Sequence, residues 1–114
     1  MPLYRTCDLR RYSDAGPVPR PLSVGAGVAV MLLCLQNGQR LVAPEDDRAE
    51  TVFTVLGGTG TIREGDELHD VVVGDVVHVQ AGTHKALIAG VGTFAVLGVR
   101  RMRGRAGGAD DAAA

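Results

Sequence analysis

The chain has 114 residues, a formal net charge of −1, 46% hydrophobic residues, 4% aromatic residues and no Trp. That length accommodates one domain with a single modest core, and the near-neutral charge gives no electrostatic reason to expect nucleic acid or an anionic membrane as a partner. A core so poor in aromatics has to be made of Val, Leu and Ala, and Val suits a pleated, half-buried surface.

No apolar run approaches the length of a bilayer span, and the start MPLYRTCDLRR lacks the apolar stretch and small-residue cleavage site of a secretory leader; a cytoplasmic protein is expected. Cys7 and Cys34 are far apart and match no zinc or redox spacing, which implies reduced, unpaired thiols. Eleven of the twelve basic residues are Arg, so Lys85 is the sole lysine.

Residues 1–25 read as an extended arm with one or two edge strands, because Pro17, Pro19 and Pro21 fit neither a helix interior nor a central strand. Val28 to Gln36 is a continuous apolar run ended by Asn37-Gly38, a tight-turn pair, and predicts a buried strand with Gln39 to Val42 pairing back onto it. An acidic cluster, Glu45, Asp46 and Asp47, follows Ala43-Pro44. Glu50 to Leu56 is the strongest strand signal, and Gly57-Gly58 ends it. Further short strands are expected over Thr59–Arg63, Leu68–Val73, Val76–Val79, Lys85–Ala89 and Thr93–Val99. Short strands with turn signals about every ten residues indicate an all-β sandwich or barrel. From Arg100 the composition turns to Arg, Gly, Ala and Asp; the barrel is placed at residues 26–100 and a frayed, solvated tail at 101–114.

Two stretches, GQRLVAPEDDRAETVFTVLGGTG from Gly38 and GDVVHVQAGTHK from Gly74, resemble the two motifs of the cupin superfamily, G-x5-H-x-H-x3or4-E-x6-G and G-x5-P-x-G-x2-H-x3-N. The match rests on Gly38, Gly57 or Gly58, Gly74 and Gly82, and implies a cupin-type jelly-roll β-barrel over about Val28 to Val99. Cupins with intact motifs hold a divalent transition metal on three histidines and a glutamate. Here the histidine positions are Pro44, Asp46 and Lys85, the asparagine position is Ala89, and the glutamate position is Glu50 or Thr51 according to the spacing used. An ammonium at position 85 repels a cation rather than ligating it, so no metal cofactor is expected.

The resemblance points Lys85 and Leu87 into the barrel. Of the two registers of the preceding strand, the one that turns Thr51, Phe53 and Val55 inward is preferred because Phe53 suits a core or pocket; the other turns Glu50 inward. The expected ligand-binding set is Lys85, Asp46, Glu50, Thr51, Phe53, Val55, His78 and Leu87, around a small and anionic molecule. Lys85 is expected to pair with Asp46 or Glu50 and act as a charge clamp, the carboxylate outweighing desolvation. Catalytic residues are not legible. The alternatives are a metal-dependent isomerase or dioxygenase with an irregular ligand set of His84, His78, Asp46 and Glu50, and a purely structural dimer. A homodimer is expected, because Val28–Gln36 is apolar on both faces and the arm needs a surface to lie on.

Overall fold

The computed structural model describes residues 2–44 and 47–102. It is an all-β molecule whose elements run α1 (Thr6–Leu9), β1 (Val18–Val24), β2 (Val28–Gln36), β3 (Arg40–Val42), β4 (Thr51–Glu64), β5 (Glu67–Val72), β6 (Val76–Val79) and β7 (Lys85–Arg101). Every pairing is antiparallel: the sheet runs β1-β2-β7-β4-β5, with β3 also on β7 and β6 also on β4.

Two long strands, β4 and β7, organise the barrel. The glycines expected to separate short strands instead bend continuous ones, because a residue without a side chain lets a ladder shift register without breaking. β4 shifts against β7 between Val55 and Gly57 and again between Gly58 and Gly60. At the second shift the partners jump from Phe94 to Ala89, which loops out residues 90–93 of β7. The inward parity of both strands therefore changes: Thr51, Phe53 and Val55 face in before the bend of β4 and Ile62 after it, while Leu87 and Ala89 precede the bend of β7 and Phe94 and Val96 follow it.

Asn37 (φ 51°) and Gly38 (φ 77°) form the tight turn after β2, closed by Gln39 N–H donating to Gln36 O at 3.1 Å. The turn leads β3 onto β7 rather than back onto β2. It docks on the bend of β7, where Asn37 N–H donates to Gly92 O and Gly92 N–H to Asn37 Oδ1, both at 2.9 Å.

β2 is apolar on both faces because both are covered. Leu33 and Leu35 face the main core with Phe53, Ile62, Leu87 and Phe94, whereas Leu32 and Cys34, with Ala95, lie under Leu9, Tyr12, Val18 and Leu22 of the N-terminal segment. The arm is thus a one-turn helix and an edge strand on its own barrel, and the two prolines of β1, Pro19 and Pro21, sit on the sheet edge where a missing N–H costs least. Both apolar faces of β2 are thus packed against residues of the same chain. Cys7 and Cys34 are both free thiols. The expected tail lies outside the described residues beyond Met102, and Arg101, its expected first residue, completes β7.

The bend of β4 predicts a sharp contrast between glycines. Gly58 (φ +76°) has no room for a Cβ, which would stand 1.7 Å from Thr93 O, whereas at Gly74 (φ +95°) nothing lies within 4 Å. Gly58→Ala should cost at least about 3 kcal/mol, through backbone strain plus displacement of β7. Gly74→Ala should cost about 1–2 kcal/mol from left-handed strain alone. Urea unfolding of both variants measures the difference, and equal losses would contradict the bend described here.

Candidate functional site

The barrel opens into a pocket of about 290 Å³ with apolar walls that include Met31, Leu33, Leu41, Phe53 and Leu87. Four polar side chains join the lining: Asp47, Thr51, Lys85 and Arg100. Lys85 and Thr51 are buried, at 5% and 3% exposure.

Each polar group is placed by backbone geometry. Lys85 opens β7 and faces inward in phase with Leu87. Arg100 has the opposite parity in sequence, but the looped-out residues 90–93 bring it in phase with the pocket, and it pairs directly with Thr51 across the ladder. Gly98, between Val96 and Arg100 in that alternation, forms part of the lining and leaves Phe53 and Leu33 at the edge of contact, 3.4 Å from where a Cβ would be.

Asp47 joins the two cations. Its Oδ2 accepts from Arg100 Nη1 at 2.6 Å and its Oδ1 lies 3.6 Å from Lys85 Nζ. Lys85 Nζ donates to two main-chain carbonyls, Asp47 O at 3.0 Å and Ala49 O at 3.3 Å, and Thr51 Oγ1 donates to the latter at 2.9 Å. The Asp47 loop is tied to the loop before β7: Gly82 N–H donates to Arg48 O at 2.8 Å, and Arg48 Nη1 donates to Gly82 O at 3.1 Å. Burial holds the Lys85 amine below its ordinary value of 10.5; the Asp47 carboxylate opposes the shift and the Arg100 and Arg48 charges add to it. The expectation that a carboxylate outweighs desolvation is therefore reversed: burial is the larger effect, and the Asp47 carboxylate that opposes it also pairs with Arg100.

Of the expected ligand-binding set, the structure gathers Lys85, Thr51, Phe53 and Leu87 around the pocket. Val55 faces the same interior but is packed into the main core, away from the pocket lining. Glu50 and His78 are corrections: they meet on the other side of β4, where His78 Nε2 lies 2.6 Å from Glu50 Oε2 and Arg101 Nε lies 3.8 Å from Glu50 Oε1. Strand alternation requires this once Thr51 faces inward. Asp46 lies outside the described residues. Sequence reasoning missed Asp47, one residue past the motif position, and Arg100, the last residue of the expected barrel, to which it gave no role.

The site does not fit a cupin metal. The inward residue at the glutamate position is Thr51, position 85 carries an amine committed to carbonyl oxygens, and among the described residues no imidazole lines the pocket. The irregular set is not assembled either: His78 and Glu50 are outside, and His84 is not part of the lining. Among the described residues the one convergent group of metal-type ligands is Glu64, Glu67 and His69 at the β4–β5 hairpin. There His69 Nε2 lies 3.0 Å from Glu64 Oε1 and 3.8 Å from Glu67 Oε1, the geometry of a surface ion pair.

This architecture has close counterparts among solved structures. A protein from Thermus thermophilus superposes with a TM-score of 0.81 at 20% identity, covering 89% of this chain and 97% of its own. A Klebsiella pneumoniae protein described as having a double-stranded β-helix domain gives 0.78 at 18% identity, covering 92% of each chain. A cupin superfamily protein from Desulfitobacterium hafniense gives 0.74 at 23% identity, covering 90% of this chain and 94% of its own. The chain has the cupin fold. No protein-family model matches the sequence, and no curated protein matches it. In this cupin barrel the pocket carries a Lys–Asp–Arg bridge whose Lys85 stands at a histidine position of the motif. Among the described residues no helix is long and apolar enough to cross a membrane.

The lowered Lys85 value fixes the sign of a pH effect. The native protein releases this proton before the unfolded chain does, so between the lowered value and 10.5 the unfolded chain binds more protons. Stability from this group rises with pH across that window, and its penalty is full below it. The unfolding free energy of the parent, relative to Lys85→Met, should move in the parent's favour as pH is raised toward 10.5. Paired urea titrations at stepped pH test this; a difference moving the other way would mean that the carboxylate dominates after all.

Proposed function

We propose that this cupin barrel binds a small carboxylate-bearing molecule in the pocket and that Arg100 receives the carboxylate. The observation that carries the proposal is the charge arrangement in the pocket wall. Two basic side chains, Lys85 and Arg100, share the carboxylate of Asp47 beside apolar walls, the one acidic side chain of the lining among the described residues. An Arg guanidinium stays protonated at any physiological pH and presents five fixed donors, of which the Asp47 contact engages Nη1. The volume of about 290 Å³ lies at the small end of ligand pockets, which favours a compact ligand with an apolar body.

Arg100 is 35% exposed and Asp47 20%, so the charged end of the pocket is reachable from solvent while Lys85, at 5%, lies behind it. A ligand therefore meets the guanidinium before the amine. This reading needs no metal ion, because positive charge comes from Lys85, at a position where the family motif has a histidine, and from Arg100.

The test is calorimetric titration with 2-methylpropanoate and with its neutral analogue 2-methylpropanamide. The carboxylate should bind at least about tenfold more tightly than the amide, a charge-assisted hydrogen bond being worth roughly 1.5–3 kcal/mol. Arg100→Met should remove that preference, Lys85→Met should abolish carboxylate binding, and chelator should leave the parent unchanged, with circular dichroism confirming folded variants. Equal affinity for acid and amide, or undiminished binding in both variants, would overturn the proposal.

A further inference from the structure

We infer that Gly98 is a specificity-determining residue: the side chain it lacks leaves a notch in the pocket wall, and the notch selects a short monocarboxylate with one aliphatic group the size of a valine or leucine side chain. The inference rests on the binding reading above and names the substrate class of the same site.

Nothing in the fold requires glycine at this position. Glycine in a strand interior lowers stability relative to alanine, and it marks a bend, a close backbone approach or a place where a ligand comes near. The other glycines of β4 and β7 have one of the first two reasons. A Cβ would stand 2.7 Å from Arg10 Nη1 at Gly57, 1.7 Å from Thr93 O at Gly58, 2.5 Å from Ile88 O at Gly60 and 3.1 Å from Thr59 O at Gly90. Gly92 has a φ of +88°. Gly98 has neither reason: it is not in the left-handed region, and the atoms nearest to a Cβ there belong to the side chains of Leu33 and Phe53, at 3.4 Å. An alanine would fit at the edge of contact, so what the glycine supplies is space in the pocket it lines.

The ladders locate that space. On the inward face Gly98 lies between Met31 of β2 and Phe53 of β4, its partners across the two ladders. The next inward row toward the mouth is Arg100 with Thr51, and the next row toward the core, Leu33, Val96 and Val55, is buried and closes the notch. Arg100 is 35% exposed and Gly98 is buried, so a ligand held by its carboxylate on Arg100 points its body inward over Gly98. Successive inward residues of a strand are about 6.6 Å apart. The group next to the carboxyl therefore fills the place of the missing side chain, and a longer chain runs into the Leu33–Val96 row. A second carboxylate at this level would lie among Met31, Phe53 and Leu33, where a charge is costly to bury.

The experiment is a nuclear magnetic resonance titration of the full chain, and of its Gly98→Ala and Gly98→Val variants, with acetate and with 2-methylpropanoate. The parent should bind 2-methylpropanoate roughly tenfold more tightly than acetate, the gain expected of two further buried carbons. Gly98→Val should lose this preference by filling the notch, with acetate affinity held within about twofold of the parent's, and Gly98→Ala should lose about threefold of it. Thermal unfolding should show Gly98→Ala at least as stable as the parent. Should Gly98→Val fail to fold, the loss in Gly98→Ala decides the question by itself. A parent that binds the two acids equally, variants that keep the parent's preference, or variants that weaken both acids alike would overturn the notch, while the carboxylate reading stands wherever the parent still prefers 2-methylpropanoate to its amide. A parent that binds neither acid overturns both.

Discussion

A lysine buried in the wall of a barrel has to be satisfied, and much of the pocket follows from how this is done. Lys85 is 5% exposed, and leaving its nitrogen without partners would cost several kcal/mol. The chain satisfies it with main-chain carbonyls from the segment before β4, which holds that loop against the start of β7. The carboxylate of Asp47, which an isolated Lys–Asp pair would share between two groups, is drawn toward Arg100 instead. The amine is therefore hydrogen-bonded to two carbonyls and shares its Asp47 neighbour with Arg100, which places two basic groups at one wall of the pocket.

The second constraint is the pair of bends in β4 and β7. A straight strand could not put residues 85 and 100 on one face, since their separation is odd and side chains alternate. Looping out residues 90–93 reverses the parity, and Gly58 and Gly60 let the partner strand follow. Gly60 has Ile88 O at 2.5 Å and the Phe94 ring at 2.6 Å from where a Cβ would be, so the packing of Phe94 in the core depends on the same bend. Closing the barrel and assembling the Lys–Asp–Arg bridge are one structural event.

This explains what could be read from the sequence. Glycine spacing and the Asn37-Gly38 turn were enough for the cupin-type barrel, and Phe53 selected the register that turns Thr51 inward. The same glycines were misread as strand ends because a turn and a bulge use the same residue. Arg100 was hidden by the parity switch and by the arginines after it, although the alternation Phe94, Val96, Gly98, Arg100 was a usable signal. Asp47 was hidden because motif spacing counts residues along an irregular loop and does not fix where each side chain points. Glu50 belongs to the alternative register, and the inward Thr51 places it outside together with its neighbour His78.

The central claim is that the sole lysine is a desolvated amine at the wall of a carboxylate pocket. Selective carbon-13 labelling of lysine gives one Cε resonance for the folded chain, and following it against pH reads the protonation of that amine directly. The account predicts a midpoint below the ordinary 10.5 and a shift of the resonance on adding 2-methylpropanoate. A midpoint at or above 10.5, with a resonance that ignores the carboxylate, would contradict it.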